Sequence, residues 1–196
     1  MSAAEVVVVP TGTANLASIR AAFRRLGADI ALSLDPDRIA EAGHVVLPGV
    51  GAFAAAIAPL RECGADEALV FRIGHDRPTL AVCVGHQLLF EGSDESPGVA
   101  GLGVVPAHVG RFAGEVRVPQ FGWNEVTGEG RFLRSGFAYF ANSYRASEAP
   151  DWTVATADHG GPFVAAMERG RTLTCQFHPE LSGAYGRAVL EAWLTC

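Results

Sequence analysis

Solid apolar blocks alternate with amphipathic stretches through the first hundred positions. Val6-Val7-Val8-Val9 follows Glu5 directly, and residues 5–9 are expected to form a buried strand. Leu16, Ile19, Phe23 and Leu26 recur at helical spacing, with Asn15 placed to cap the first turn and Gly27 to close the last. Further strands are expected over 29–34, 44–47 and 78–82, and helices over 52–63, 66–73 and 86–91. From about Gly101 to Tyr144 helical periodicity fades, and Gly and β-formers predict short antiparallel strands with long loops. Strands are expected again over 153–156, 163–167 and 171–177, with a hairpin turn at Glu168-Arg169-Gly170. A terminal helix over 185–194 puts Val189, Leu190 and Trp193 on one face.

Short apolar strands that each feed a helix predict an α/β fold: a mostly parallel twisted sheet covered on both faces, with a small antiparallel section. The 196 residues, 49% of them hydrophobic, suit one domain spanning 1–196. Net charge is -6, with no basic block, so no nucleic-acid partner is expected. All 15 basic residues are Arg, which excludes Schiff-base lysine chemistry and a lysine-bearing phosphate loop. No apolar run approaches a membrane span, and no signal-like segment opens the chain. The four cysteines lack CxxC spacing, so no metal site is expected, and a free reactive thiol suits the cytoplasm.

One of those thiols stands at a chemically loaded place. Cys83 ends the strand expected over 78–82, and a helix-compatible run follows at once, with Ala81 two residues before and Gly85 two after. That is the strand–turn–helix context of a nucleophile elbow, with sulfur where other enzymes place a hydroxyl. The helix start favours a thiolate, but a dipole worth about 1 kcal/mol moves a thiol pKa of about 8.5 by less than one unit. A histidine is therefore required nearby. His178 follows the strand expected over 171–177, and Glu180, two residues on across Pro179, is placed to orient its ring. Leu47-Pro48-Gly49-Val50-Gly51-Ala52-Phe53 links a strand to a helix and reads either as an ordinary tight turn or as a backbone cradle for an oxyanion.

These segments together resemble the triad glutamine amidotransferases, and most of all the glutaminase subunits of imidazole glycerol phosphate synthase. The likeness runs through Gly12 with Asn15-Leu16, the Pro48-Gly49-Val50-Gly51 loop, Cys83-Val84-Gly85-His86-Gln87 and Gly101-Leu102-Gly103. It continues through Val118-Pro119, Gly122-Trp123-Asn124, Asn142-Ser143-Tyr144 and Gln176-Phe177-His178-Pro179-Glu180. The resemblance implies a flavodoxin-like class I amidotransferase fold and hydrolysis of glutamine through Cys83, His178 and Glu180. It further implies an oxyanion hole near Val50, Gly51 and Val84, and substrate contacts from Gln87, Ser143 and Tyr144. Gly49 and Gly51 would allow the oxyanion loop to rotate. No cofactor is implied. The implied partner is a (β/α)8-barrel cyclase in a heterodimer, which receives the ammonia and makes imidazole glycerol phosphate and AICAR in histidine biosynthesis.

The chain departs from that family at Pro10, Thr11, Ala14, Ala81, His86, Gln120, Phe121, Asn142 and Leu181. Several of these are positions the family places at the subunit boundary or the ammonia gate. Two other readings stay open: a non-catalytic regulatory or binding subunit on the same fold, and an amidotransferase subunit or Cys-His hydrolase serving another pathway.

Overall fold

The computed structural model describes residues 4–12 and 15–196; the altered position Ala14 lies outside the described residues. Strands β1 (Ala4–Val8), β2 (Ala28–Leu32), β3 (His44–Gly49), β4 (Thr79–Cys83), β10 (Thr153–Asp158), β11 (Pro162–Arg169) and β12 (Thr172–Cys175) form one sheet in the order β10-β11-β12-β4-β3-β1-β2. The five strands from β12 to β2 run parallel, and β11 and β10 add an antiparallel wing. The expected parallel α/β sheet is therefore present. Its central strands are covered on both faces, and every residue of β4 and of β12 is buried, Thr79, Thr172 and Thr174 included.

Helices α1 (Leu16–Arg25), α2 (Pro36–Glu41), α3 (Phe53–Cys63), α4 (Ala65–Gly74) and α6 (Gly183–Leu194) flank the sheet. From β1 the chain steps outward to β2, then back past β1 to β3 and β4. With right-handed crossovers, that reversal puts α1 on one face and α2, α3 and α4 on the other. Helix α6 joins α1, and the Phe23 and Trp193 rings meet edge to face at 6.1 Å. Asn15 caps α1 as expected, its side chain accepting from Ser18 N. The buried stripe of α6 is Gly186, Val189, Leu190 and Trp193.

Two elements differ from the sequence reading. Helix α2 was not expected, since six residues are too few for periodicity to register. Its start signals are nonetheless present: Pro36 stands in the first turn, and the Asp35 carboxylate accepts from Asp37 N and Arg38 N. The helix expected over 86–91 is α5 (Val84–Leu88), and β5 (Phe90–Ser93) follows it. The reason lies ten residues further on. Leu102 N donates to Leu88 O, Val104 N to Leu89 O and Gly101 N to Glu91 O, so a distant segment takes the carbonyls a longer helix would have used.

The middle of the chain supplies β6 (Val105–Arg111), β7 (Gln120–Val126), β8 (Gly136–Asn142) and β9 (Tyr144–Ala146). β7 and β8 pair antiparallel, as do β6 and β9, and β5 runs parallel to β6. Within the β7–β8 ribbon, side chains alternate. Gln120, Ala138, Phe140 and Asn142 face inward, while Phe121, Trp123 and Phe137 stand exposed. The turn expected at Glu168-Arg169-Gly170 falls at Gly170-Arg171, because Glu168 and Arg169 remain in β11, and the next strand begins at Thr172, one residue beyond its expected start.

Candidate active site

The carboxyl ends of β3, β4 and β12 lie side by side. Gly49 is in register with Cys83, and Cys175 with Val82. The residues after each strand, Val50-Gly51, Cys83-Val84 and Gln176 to His178, therefore emerge at one edge of the sheet, where open α/β folds bind their ligands.

Cys83 holds a backbone conformation rare for a side-chain-bearing residue, with φ 55 and ψ -110. This is the strained turn of a nucleophile elbow. Neighbouring close packing keeps it there. A Cβ on Gly85 would lie 2.1 Å from Leu47 O, and one on Gly49 would lie 3.0 Å from the Val84 Cβ. Gly49 thus serves close approach at the end of a paired strand, whereas Gly51, at φ 89, is the glycine of this loop that uses its conformational freedom.

His178 is positioned by three elements. Its N–H donates to Tyr139 O at 2.9 Å, and its carbonyl accepts from Ser182 Oγ at 2.6 Å. Ser182 Oγ in turn accepts from Tyr139 N at 3.0 Å, which ties β8 to the short turn Pro179–Leu181. The ring's Nδ1 meets Glu180 Oε1 at 2.9 Å, and His178 and Cys83 line the same cavity. With Nδ1 facing the carboxylate, Nε2 is the nitrogen toward sulfur. Burial alone lowers the imidazole pKa. Here Cys83 beside the ring and the Glu180 carboxylate bonded to it outweigh burial and push it up to about 10. The ring is therefore a proton donor at neutral pH.

A cavity of about 390 Å³ opens on these groups. That suits a small ligand, since such sites run from roughly 300 to 1,000 Å³. It is lined by Val50, Gly51, Cys83, Val84, Gln87, Ser143, Tyr144 and His178, together with Ala52, Glu95, Ala141 and Asn142. The candidates Cys83, His178, Val50, Gly51, Val84, Gln87, Ser143 and Tyr144 all line it; Glu180 stands behind His178. Gln87 Nε2 donates to Tyr144 O at 3.1 Å and to Gln176 Oε1 at 2.9 Å. Both its N–H groups are thereby used, and its Oε1 is left to accept from a ligand.

Glu95 is a residue the sequence reading did not single out. Its Oε2 accepts from Phe53 N at 2.7 Å, and Ser96 Oγ accepts from Ala54 N at 3.2 Å. These side chains cap α3, whose own cap residue Ala52 makes no side-chain bond. The polar run Ser93-Asp94-Glu95-Ser96 was the available signal, but nothing local links it to a helix forty residues earlier.

The altered positions divide by location. Thr11, His86, Gln120 and Asn142 are buried, whereas Phe121 and Leu181 are exposed. Thr11 Oγ1 donates to Pro48 O at 3.2 Å, which ties the loop after β1 to the end of β3. His86 Nδ1 meets Thr174 Oγ1 at 2.6 Å, and complete burial drives its pKa down to about 3, so it stays neutral. Expectations of a boundary role for Gln120 and Asn142 must therefore be read against side chains that face inward. Among the described residues, no cluster of three or more His, Cys, Asp or Glu is placed to hold a metal ion. No helix among them is long and apolar enough to cross a membrane.

The family model for glutamine amidotransferase class-I matches residues 7–194. The imidazole glycerol phosphate synthase subunit HisH of Mycolicibacterium paratuberculosis is 39% identical over 99% of this chain and 98% of its own length. The subunit of the same name from Methanothermobacter thermautotrophicus is 40% identical over 95% of this chain and 96% of its own. The chloroplastic imidazole glycerol phosphate synthase hisHF of Arabidopsis thaliana is 42% identical over 96% of this chain, but the chain spans 34% of that protein's length. Among solved structures, a glutamine amidotransferase superposes with a TM-score of 0.76 at 22% identity, covering 95% of this chain and 98% of the other. PurLQS from Thermotoga maritima gives 0.74 at 15% identity over 100% and 99% of the two chains. At such identities the structural likeness speaks for the fold.

Proposed function

Since the chain belongs to the class-I glutamine amidotransferase family, within its imidazole glycerol phosphate synthase HisH branch, we propose that Cys83, His178 and Glu180 are the triad with which it hydrolyses glutamine to glutamate and ammonia. The observation that carries this reading is Cys83 and His178 lining one cavity, with Glu180 hydrogen-bonded to the His178 ring. Cys83 Sγ attacks the carboxamide carbon as a thiolate, its proton already carried by His178 Nε2. The tetrahedral oxyanion is held by backbone N–H groups around Val50 and Gly51 and by Val84 N, the first N–H of α5. His178 protonates the leaving nitrogen, ammonia departs, and a glutamyl thioester remains. Water, deprotonated by His178, then attacks the thioester and frees glutamate. Gln87 Oε1 and the Glu95 carboxylate are acceptors suited to the substrate's ammonium group, with the Ser143-Tyr144 backbone beside them.

The 196 residues act in this proposal as one glutaminase domain whose ammonia passes to a (β/α)8-barrel cyclase in a heterodimer. The names of the relatives as subunits of a synthase support this. So does the surface beside His178. Phe121 is 72% exposed, Trp123 58% and Phe137 59%, with Leu181 next to them at 39%. Monomers seldom expose large apolar side chains so close together. The isolated chain is expected to release glutamate slowly, and the ligand-bound cyclase to raise that rate at least about tenfold, equivalent to about 1.4 kcal/mol. Equal rates with and without the cyclase would reject the gating.

Leu181 carries the partner contact of this chain. A lysine at this place would present an ammonium, and the isobutyl group calls instead for an apolar pocket. Burying its exposed part contributes roughly 1 kcal/mol. Leu181→Lys is therefore expected to weaken binding to the cyclase from the same genome by about fivefold or more, because a charge is desolvated without a partner. Titration calorimetry of the two proteins checks this, and an unchanged or tighter constant would show the contact to be something else.

A further inference from the structure

Gln176 is completely buried, one residue past β12 and two before His178. Its backbone N–H is fixed on Ala165 O at 2.8 Å, so the side chain leaves the strand at a set place. That side chain lies between two functional groups. Its Oε1 accepts from Gln87 Nε2 at 2.9 Å, and its Nε2 stands 3.9 Å from Cys83 Sγ.

The orientation of this amide follows from chemistry. The Tyr144 carbonyl can only accept, so the end of Gln87 facing it must be the NH₂ group, which also faces Gln176. The Gln176 atom opposite an NH₂ must be the oxygen, which leaves its own NH₂ toward sulfur. Flipping Gln87 would set oxygen against two oxygens, and flipping Gln176 would set NH₂ against NH₂, either way in a buried site at the cost of unmade hydrogen bonds. One backbone carbonyl thus fixes the polarity of two side chains and aims an N–H at the nucleophile. A neutral S–H has little use for that donor, whereas a thiolate has much, and contacts of this kind shorten once charge develops.

We propose that Gln176 is a catalytic residue whose side-chain N–H holds the negative charge on Cys83 Sγ, in an orientation set by the relay Tyr144 carbonyl–Gln87–Gln176. This rests on the glutaminase reading of the site. The donor acts twice. It stabilises sulfur when the S–H proton has moved to His178, and again when the thioester C–S bond breaks and the electron pair returns to sulfur. In the intervening thioester sulfur is neutral, so the contact favours the charged states on either side of it.

The test follows the ionisation of Cys83 without using glutamine. The rate at which iodoacetamide alkylates Cys83, located by mass spectrometry, is measured against pH for the full chain and for Gln176→Met and Gln176→Glu. The midpoint is expected to rise by about one pH unit in Q176M and further in Q176E, which sets a carboxylate against the sulfur. In the unmodified protein, the Gln176 side-chain ¹⁵N–¹H resonances are expected to shift with the same midpoint and to stay still across it in Cys83→Ala. That measurement decides the matter if either variant does not fold. Alkylation profiles that superimpose on the parent's, or Gln176 signals that do not move as Cys83 ionises, would overturn the proposal. A chain that shows these shifts yet releases no glutamate would refute the glutaminase reading while leaving the sulfur contact standing.

Discussion

Replacing Cys83 by alanine is expected to lower glutamine hydrolysis by at least about 10⁴-fold, the scale of loss when a triad nucleophile is removed. The oxyanion donors and the cavity would remain, but water would have to attack the carboxamide unaided. The same residue is expected to be the sole target of a glutamine-analogue electrophile. Of the four cysteines, Cys83 is the one that lines the cavity beside His178. Cys175 is buried, and burial with the nearby Glu180 charge pushes its thiol well up. Cys63 donates its S–H to Pro59 O, and burial raises the Cys196 thiol. Mass spectrometry of the labelled chain and a glutamate-release assay of C83A check both parts. Label on Cys63 or Cys175, with activity kept in C83A, would remove Cys83 from the mechanism.

The second large effect is expected at Gly85. Its Cα faces β3 so closely that an added Cβ would sit 2.1 Å from Leu47 O and 3.0 Å from Leu47 C. These are backbone atoms of a strand buried from Val45 to Gly49, so no flexible side chain can swing away. Gly85→Ala must push α5 off the sheet or twist β3, and either displaces Cys83 Sγ from His178. We expect a loss of about 3 kcal/mol or more in stability and a collapse of the selective reactivity of Cys83. Gly43→Ala, where a Cβ meets nothing within 4 Å, is the control and should stay within about 0.5 kcal/mol of the parent. Urea unfolding and the alkylation rate measure the two effects. A G85A protein within about 1 kcal/mol of the parent, with Cys83 as reactive as before, contradicts this account of the elbow.

The sequence made much of this site readable because its signals are local. The mostly apolar blocks that became β1, β3, β4 and β12 needed no knowledge of the rest of the chain, since a strand covered on both faces draws largely on apolar residues. Cys83 was marked by its own neighbours, a strand before it and a small residue two after. The His178–Glu180 pair spans only three residues, and Pro179 limits how those residues can turn. Helix α6 and its buried stripe were likewise set by periodicity alone.

What escaped the sequence is what two distant segments do to each other. The run after Cys83 has the composition of a longer helix, and α5 ends early because N–H groups from Gly101 to Val104 claim its carbonyls. Glu95 looks like any loop carboxylate until it is seen holding Phe53 N across the cavity rim. Gln176 reads as one polar residue between a buried cysteine and a phenylalanine, and only the Tyr144 carbonyl, reached through Gln87, shows which end of its amide meets the sulfur. By itself, then, the sequence marked most of the elements in their order and singled out Cys83 and the His178–Glu180 pair as candidates, because periodicity and turn sterics act within a few residues. The tertiary structure alone decided where α5 stops, which groups close the cavity and which way the buried amides point. Hydrogen bonds are directional and are satisfied between whichever groups the packed fold brings within about 3 Å of each other.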